Sequence, residues 1–389
     1  MKISISFYLQ HYLSPSMTFI YRQLSGVSEK YKTSVLCSNQ VENLDKFPFS
    51  QVYVKRRNFL KIKQSNIFTK IYGQHKLFSR NPKLSIIQRK YFRNIVDENN
   101  IRLIHAHFGP SGIEILPLAK KLKIPLVVSF HGYDGSVLLN YEDYLSNLRR
   151  LFKYAHIIFP SYYMLNELKK AVNDIPEFSV IYYGIPLDKF SFINRTTPYE
   201  KYSNNKKIVF LQVSNFVEKK GHYYTIIAFS KFLKFYKNAE LILGGDGYLL
   251  NEIKTLVNNL GIRNKVIFKG AVNQNQVIKL MSEADIFLHH SITGPNGDKE
   301  GIPNVIMEAM ATGLPCISTL HAGIPELIND GTNGYLVDEK DVESFVHKMI
   351  KLVKSPNNFQ EEARETIQSK FNLAIQNEKI LRIYDSLLT

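Results

Sequence analysis

The stretch EGIPNVIMEAMATGLP, Glu300–Pro315, places two carboxylates around the start of a predicted helix. Pro303 suits the first turn of a helix, where its missing N–H costs nothing. Good helix formers follow it, and Gly313 ends the run. Glu300 is therefore expected in the loop before the helix and Glu308 on its second turn. At a rise of about 1.5 Å per residue the two lie roughly 12 Å apart, which suits the two ends of one extended ligand.

Short apolar runs alternate with helical patterns on both sides of this stretch. The predicted strands are KISISF, TSVLC, LIHAH, PLVVSF, HIIFP and SVIY, then KIVFLQV, ELILGG, KVIFK, DIFLHH, PCIST and GYLV. Amphipathic stretches, among them Thr18–Ser28, Ile86–Asn99 and Met164–Ala171, lie between several of them. This alternation predicts parallel sheets with right-handed crossovers. We expect an α/β protein with two doubly wound Rossmann-like domains that face each other across a cleft, where the strands end.

The domain boundary is placed at a polar stretch without periodicity. Asn194–Lys207, NRTTPYEKYSNNKK, is interpreted as a linker. The first domain is then 1–195 and the second 206–372, because a chain of 389 residues is too long for one core. The last helix, about 373–389, is expected to pack back on the first domain.

Composition limits where the protein works. The two cysteines, Cys37 and Cys316, form no disulfide framework and fit a reducing cytoplasm. The first residues are interpreted as a strand and not as a signal peptide, and no apolar run approaches the roughly 18 residues of a membrane span. The net charge is +16, and 1–205 hold 29 Lys+Arg against 14 Asp+Glu. Such a basic half fits a nucleic-acid binder or an enzyme that faces anionic lipid.

The residues around the two carboxylates resemble the Glu-x7-Glu signature of glycosyltransferase family 4, whose members are retaining enzymes of the GT-B architecture. The resemblance continues in order through LILGGDG, KVIFKGAV, ADIFLHHS and HAGIPELINDGTNGYLV, and it covers nearly all of 206–340. It extends in particular to members that build bacterial exopolysaccharide, including colanic-acid-type enzymes. The first half is similar only in HAHFGPSG, SFHGYD and YYGIPLDKF.

The resemblance implies roles for the residues of the signature. Glu300 would bind hydroxyls of the donor sugar and act in catalysis, and Glu308 would bind the ribose. A carboxylate accepts two hydrogen bonds at once, so it suits a diol. The donor-binding set would also include the helix start, which offers free N–H groups to a diphosphate, with Gly301, Ile302 and Asn304.

Two lysines are expected to open the first helix of the second domain. Lys219 and Lys220 oppose the helix dipole there, which is reasonable only if an anion binds. By resemblance Lys220 contacts the donor phosphate. Asn215, also placed in the donor-binding set, stands where the family usually has arginine. Either Lys219 or a basic group of the first domain would compensate, or the phosphate is stabilised less strongly in this protein.

Three histidines of the first domain lie at or just after the ends of predicted strands. By resemblance His131, in SFHGYD, approaches the donor sugar as a catalytic group, and Asp134 braces its loop. His105 and His107 would either bind the acceptor or secure the end of the sheet. The glycines of Gly244–Gly247 fit phosphate binding and close backbone packing equally well. His289 and His290 are not interpreted as a metal site, since no motif supplies a third ligand.

These features predict a metal-independent, retaining glycosyltransferase without a cofactor. The donor would be a nucleotide-sugar, a UDP-sugar more readily than a GDP-sugar, and the acceptor a glycan attached to a lipid, in exopolysaccharide, capsule or O-antigen synthesis. The alternatives are a soluble sugar phosphorylase or disaccharide synthase of the same fold, and a non-catalytic basic binding protein. A nucleic-acid partner is not expected, because no recognisable binding motif is present.

A basic segment favours peripheral attachment to the inner face of the cytoplasmic membrane. Residues 46–96 contain 13 Lys+Arg and no Asp or Glu. Apolar residues are interleaved with them, and Ile67, Ile71 and Phe78 are spaced to share one helical face. Such a segment can lie among the headgroups of anionic lipid. A solvated basic loop is the alternative.

Overall fold

A computed structural model describes residues 2–13, 17–56, 80–356 and 359–389. The chain forms two compact units. Unit 1 comprises 1–184 together with 373–389, and unit 2 comprises 185–372. Each unit contains one parallel sheet covered by helices, so the predicted α/β fold with two Rossmann-like domains is confirmed.

Unit 1 has a sheet of seven parallel strands in the order β3-β2-β1-β4-β5-β6-β7. The strands are β1 (Ser4–Tyr12), β2 (Lys32–Val41), β3 (Val52–Val54), β4 (Ile101–His107), β5 (Leu126–Ser129), β6 (His156–Phe159) and β7 (Phe178–Val180). The helices are α1 (Thr18–Lys30), α2 (Ile86–Glu98), α3 (Gly109–Leu122), α4 (Glu142–Phe152), α5 (Tyr162–Val172) and, from the end of the chain, α13 (Leu373–Leu388). The strand order reverses between β1 and β4.

Unit 2 has a sheet of six parallel strands in the order β10-β9-β8-β11-β12-β13. The strands are β8 (Ile208–Val213), β9 (Ala239–Gly244), β10 (Val266–Gly270), β11 (Ile286–His289), β12 (Cys316–Thr319) and β13 (Gly334–Val337). The helices are α6 (Pro198–Ser203), α7 (His222–Phe235), α8 (Leu250–Asn259), α9 (Gln274–Glu283), α10 (Asn304–Ala311), α11 (Val342–Lys354) and α12 (Phe359–Lys370). Here the order reverses between β8 and β11.

The core of each unit lies on both faces of its sheet. β8 is buried along its whole length, and β11, β12 and β13 are buried likewise. Continuous apolar runs of this kind are expected where helices cover a parallel sheet on both sides. Ligands of such sheets bind beyond the carboxyl ends of the strands, at the point where the order reverses. This rule marks the ends of β1 and β4, and those of β8 and β11.

The boundary of the units differs from the linker expected at 194–207. The chain passes from unit 1 to unit 2 between Gly184 and Ile185. The polar stretch contains helix α6, whose start is fixed by a capping box between Thr197 and Glu200. Arg195 donates to Thr312 O (3.0 Å) and Met281 O (3.2 Å), which joins this stretch to unit 2. The stretch is polar because most of this short helix faces solvent.

The last helix, α13, belongs to unit 1 and packs against α1. Within the parts of the chain that the structure describes, no helix is long and apolar enough to cross a membrane.

Candidate active site

In unit 2 the residues predicted to bind the donor lie in the loops after β8 and β11. Lys219 and Lys220 follow β8, and Glu300 follows β11. Lys219 and Lys220 lie in a short 3-10 turn, Glu218–Lys220, before α7 starts at His222. The expectation that they open the helix is therefore wrong, because Gly221 separates them from it in a left-handed conformation (φ +58°). Lys219 O accepts from Ile292 N (3.0 Å) and Lys220 O from Gln212 Nε2 (2.9 Å). These bonds hold both lysines against the strand ends.

Gly221 lets this turn approach β11. A Cβ atom at Gly221 would lie 1.7 Å from His290 O. A residue other than glycine would also cost about 1–2 kcal/mol at positive φ. The turn that carries both lysines therefore requires glycine at this position.

Replacing Gly221 by alanine is expected to lower the thermal unfolding midpoint and to weaken nucleotide binding. The matched control is Gly261→Ala, since Gly261 also has positive φ (+69°) but has nothing within 4 Å of the added Cβ. Both variants carry the conformational strain, and only Gly221→Ala carries the clash. Differential scanning fluorimetry and titration with UDP measure the two effects. Equal losses in both variants would refute the role of close packing.

The two lysines meet two carboxylates. Glu300 Oε2 lies 2.8 Å from Lys220 Nζ, and Glu300 Oε1 lies 3.3 Å from Lys219 Nζ. Lys219 Nζ also lies 3.0 Å from Asp298 Oδ2. Burial opposes ionisation of Glu300, but the two ammonium groups outweigh it and hold the pKa of the carboxyl below its usual range. Burial likewise opposes the charge of Lys219, yet Glu300 and Asp298 raise the pKa of its ammonium group. Glu300 is thus a carboxylate and Lys219 an ammonium ion at neutral pH.

Helix α10 starts where the sequence pattern placed it. Its N-cap is Pro303, and no side chain caps the first turn. Glu308 lies on the second turn and is 9% exposed. Gly301 and Ile302 lie in the loop before the helix, and the buried Oδ1 of Asn304 has no hydrogen-bond partner among the described residues. The helix start therefore retains polar groups that protein contacts do not satisfy.

His289 is the last residue of β11, after which the loop that carries Glu300 begins. Its side chain is fully buried, and neither ring nitrogen has a partner among the described residues. Burial, assisted by the charge of Lys220, lowers the pKa of His289 well below its usual value, so the ring is neutral. Its neighbour His290 accepts from Lys340 N (3.1 Å). Throughout the described ranges no group of three His, Cys, Asp or Glu side chains is placed to hold a metal ion.

A hydrogen-bond network joins Glu300 to the ends of β12 and β13. The N–H of Glu300 donates to His321 Nε2 (3.0 Å), and His321 Nδ1 lies 2.6 Å from Glu339 Oε1. Glu339 also accepts from the N–H of Thr293 (2.7 Å) and from its hydroxyl (3.1 Å). Gly323 N donates to Gly301 O (3.2 Å) beside it. The loop between β11 and α10 is thus tied to the loops after β12 and β13.

In unit 1 the three predicted histidines are packed together. His107 Nδ1 lies 3.2 Å from His131 Nε2, and the rings of His105 and His107 stack with centroids 4.5 Å apart. His131 Nδ1 lies 2.8 Å from the hydroxyl of Tyr183. Burial lowers the pKa of each of the three rings well below its usual value, and the neighbouring histidines add to this effect. The group is therefore a row of neutral rings.

His105 is held on both sides by the protein. Its Nε2 lies 2.8 Å from Ser129 Oγ, and its Nδ1 is hydrogen-bonded to the hydroxyl of Tyr384 on α13. With both nitrogens engaged and no exposure, His105 fits the alternative that it secures the end of the sheet. His107 is also fully buried, and its Nε2 has no partner among the described residues. Contact of either ring with an acceptor stays a prediction.

Asp134 braces the loop of His131, as its position after the strand suggested. Its Oδ1 accepts from His131 N (2.9 Å) and its Oδ2 from Gly109 N (2.8 Å). Burial raises the pKa of Asp134 to about 6, although these N–H donors oppose the shift. His131 itself is 5% exposed and packs against Phe19 and Phe108.

Some of the contacting residues were missed by the sequence analysis. Asp298, Glu339 and Thr293 lack a recognisable motif, and His321 was noticed only as part of a similar stretch. Tyr384 lies 279 residues from the histidine that it contacts, so no local pattern points to it. Asn215 is exposed at the end of β8 and offers only an amide there. The sequence also predicts that Ser16 caps the first helix. Residues 14–16 lie outside the described residues.

Comparisons with known proteins agree with these features. The family model described as "Glycosyl transferases group 1" matches residues 195–370, and the one described as "Glycosyltransferase Family 4" matches 51–189. N-acetyl-alpha-D-glucosaminyl L-malate synthase of Bacillus anthracis is 30% identical over 303 residues, which are 75% of this chain and 76% of the relative. WcaL of Salmonella typhimurium, a glycosyltransferase named for colanic acid biosynthesis, is 27% identical over 289 residues, 72% of this chain and 70% of WcaL.

A solved structure shows the same fold. The crystal structure of HepE from Anabaena in complex with UDP has a TM-score of 0.75 at 18% identity, and the match covers 99% of this chain and 100% of HepE. The sequence matches, the two Rossmann-like units and the order of the motifs all indicate the same family and the same fold. The chain belongs to glycosyltransferase family 4 and is a glycosyltransferase of the GT-B fold.

Proposed function

We propose that the enzyme transfers a sugar from a UDP-sugar to a glycan acceptor attached to a lipid, in bacterial exopolysaccharide, capsule or O-antigen synthesis, with retention of the anomeric configuration. The observation that carries the proposal is the partly buried cluster in which Lys219 and Lys220 contact Glu300 at the strand ends of unit 2. Two cations held at such a position are suited to a diphosphate, and the adjacent carboxylate is suited to sugar hydroxyls.

The chemistry follows from the charges that change during transfer. The bond between the anomeric carbon and the donor phosphate breaks, a bond to the acceptor oxygen forms, and the proton of the acceptor hydroxyl passes to the departing diphosphate. Negative charge therefore grows on the leaving group, and Lys220 stabilises it from a fixed position. Glu300 holds the sugar, and its negative charge favours the oxocarbenium-like transition state. Glu308 holds the ribose, and the free N–H groups of α10 face the diphosphate.

Lys219 supplies the second positive charge that Asn215 cannot. Its ammonium group contacts both Asp298 and Glu300, so it lies in the same cluster as Lys220. On the acceptor side, we assign a catalytic role near the donor sugar to His131, with Asp134 fixing its backbone. A neutral ring there can accept or donate a hydrogen bond without adding a buried charge.

The choice of substrates rests on the relatives. HepE was crystallised with UDP, which supports a uridine nucleotide here. The name of WcaL supports a polysaccharide product. N-acetyl-alpha-D-glucosaminyl L-malate synthase of Bacillus anthracis supports a competing candidate, transfer to a small soluble acceptor, because its identity to this chain, 30%, is higher than the 27% of WcaL.

The function is tested by a donor screen. Thermal shifts are measured with UDP-glucose, UDP-galactose, UDP-N-acetylglucosamine, GDP-mannose and ADP-glucose, and each hit is assayed with lipid diphosphate glycans and with malate. Stabilisation by one UDP-sugar and transfer to a lipid-linked glycan are expected. Stabilisation by none of the nucleotide sugars would refute the proposal, and transfer to malate alone would establish the competing acceptor.

Turnover is expected to survive excess EDTA. The lysines and the helix start supply the positive potential at the diphosphate, so we propose that no divalent cation is required. The assay measures UDP release with the selected donor, before and after dialysis against EDTA. Activity that is lost on chelation and restored by magnesium or manganese would contradict this prediction.

We also propose that unit 1 attaches the enzyme to the inner face of the cytoplasmic membrane through the basic segment 46–96. Residues 57–79 of this segment lie outside the described residues. Within the described part, α2 begins with Ile86 and Ile87, which are 78% and 62% exposed. The exposed Lys83 and Arg89 flank this apolar pair. Apolar side chains among cations suit the headgroup region of an anionic bilayer.

Flotation with liposomes tests this attachment. Binding is expected to require phosphatidylglycerol and to fall with salt, because exposed charges are screened within about 8–10 Å at physiological ionic strength. Replacing Lys55, Arg56, Arg57, Lys61 and Lys63 by glutamine should abolish flotation and spare UDP binding. The control variant removes the same number of positive charges from unit 2. In it, glutamine replaces five exposed lysines, Lys234, Lys237, Lys254, Lys269 and Lys279. If the first variant floats like the parent, the segment is not the membrane contact.

A further inference from the structure

The network behind Glu300 fixes the protonation of His321. The backbone N–H of Glu300 can only donate, so His321 Nε2 (3.0 Å away) must carry a lone pair. The proton of a neutral imidazole then resides on Nδ1, which donates to Glu339 Oε1 at 2.6 Å. The side chain of His321 has no exposure. Each of the two hydrogen bonds, from His321 to Glu339 and from the Glu300 backbone to His321, thus has one donor and one acceptor.

Glu339 is anchored in its turn. Its two oxygens accept from the N–H and the hydroxyl of Thr293, in the loop after β11. Burial opposes its ionisation, but the hydrogen bonds from Thr293 and His321 hold the pKa of Glu339 below its usual range. Burial lowers the pKa of His321 even though Glu339 opposes this shift. The pair is therefore a neutral histidine against a carboxylate.

The arrangement constrains the loop that carries Glu300. The loop before α10 has a bond from Glu300 N to His321, and a second from Gly323 N to Gly301 O (3.2 Å). Both partners lie in the loop after β12, whose strand is anchored through Thr319 Oγ1 to Ser291 O (2.6 Å). The lysines contact the carboxylate of the same residue. The hydrogen bond to His321 therefore restrains the Glu300 backbone while the lysines contact its side chain.

We propose that His321 and Glu339 are positioning residues for Glu300, which they hold at the place where it contacts the donor sugar. This inference rests on the proposed role of Glu300. It assigns a function to two residues that lie outside the Glu-x7-Glu signature. A carboxylate that orients a histidine, which in turn orients a reacting group, is a recurrent way to fix a site.

The test is a double-mutant cycle between His321 and Glu300. His321→Phe keeps the volume of the ring but removes the acceptor for Glu300 N–H. UDP release from the UDP-sugar chosen in the donor screen is expected to fall about 10- to 100-fold, the range for a displaced positioning contact. Binding of UDP alone, measured by calorimetry, should change little, because UDP lacks the sugar. His321→Phe combined with Glu300→Ala should be no slower than Glu300→Ala alone.

A rescue separates positioning from a general loss of structure. His321→Gln offers a carbonyl oxygen to Glu300 N–H, so it should recover part of the lost rate. Glu339→Gln places an amide where the Thr293 hydroxyl and His321 Nδ1 both contact the carboxylate. Its rate of UDP release should therefore fall as much as that of His321→Phe. If His321→Phe does not fold, Glu339→Gln combined with Glu300→Ala carries the same cycle. Additive losses in the double variant, or parental turnover in both His321→Phe and Glu339→Gln, would overturn the inference.

The cycle also distinguishes this inference from the proposed function. If Glu300→Ala alone turns over like the parent, the role of Glu300 in donor binding fails. If Glu300→Ala is slow while His321→Phe is not, only the positioning role fails.

Discussion

Substitution of Lys220 by methionine is expected to lower kcat by about 10²- to 10³-fold, the effect of removing one group that stabilises charge in the transition state. Methionine keeps the length and the apolar stem of lysine but lacks the charge. Lys220 Nζ contacts Glu300 at 2.8 Å and its side chain is only 15% exposed, so water cannot replace the ammonium group fully. Charge on the departing diphosphate would then grow without its nearest cation. Steady-state UDP release measures the effect.

Two comparisons define the result. Lys231→Met is the matched control, because Lys231 lies on α7 of the same unit and pairs with Glu343 away from the cluster. Its turnover should equal that of the parent. Lys219→Met should also be slow if, as we propose, Lys219 supplies the charge that Asn215 lacks. A Lys220→Met enzyme with parental kcat would refute the assignment of the leaving-group site to this turn.

Replacing Glu308 by alanine should weaken UDP binding about 10- to 150-fold. This range corresponds to the loss of a charge-assisted hydrogen bond worth about 1.5–3 kcal/mol. Glu308 is 9% exposed on α10, so its carboxylate acts in a site with little competing water. Isothermal titration calorimetry with UDP measures the change, and the thermal unfolding midpoint reports whether the fold is retained.

A change in the ligand tests the same contact. The parent should bind 2′-deoxy-UDP more weakly than UDP, because the carboxylate loses a hydroxyl partner. Glu308→Ala should lose this preference. Glu343→Ala, which changes an exposed glutamate on α11, serves as the control and should keep it. A Glu308→Ala enzyme that still prefers UDP to the same degree would exclude contact with the ribose.

Most of the fold could be predicted because the signals are local. Parallel strands buried on both faces appear as continuous apolar runs, and every predicted strand corresponds to one in the structure. The strand Val52–Val54 was not predicted, because a segment of three half-buried residues is too short to stand out as an apolar run. Helix α6 was mistaken for a linker, although Thr197-Pro198-Tyr199-Glu200 carries a capping box with proline in its first turn. This local signal was present and was outweighed by the polar composition.

The candidate site was predicted in part for the same reason. Glu300, Pro303 and Glu308 lie within one turn-and-helix pattern, so their arrangement is encoded in a short stretch. Lys219 and Lys220 were found from an unfavourable charge near a helix start, although Gly221 places them just before α7. Their order along the chain could not show that they contact a glutamate of another loop.

The sequence by itself determined the two Rossmann-like units, the start of α10 and the identity of the charged residues near it, because periodicity, capping and spacing act over a few residues. Only the tertiary structure decided which of these residues meet. Lys219 and Asp298 are 79 residues apart in the chain, and His105 and Tyr384 are 279 apart. The first contact arises because the parallel strands of a sheet end at one edge and bring their loops together. The second arises because α13, from the end of the chain, packs against β4. A hydrogen bond depends on angles and on distances of about 3 Å, which a pattern of residue types does not specify.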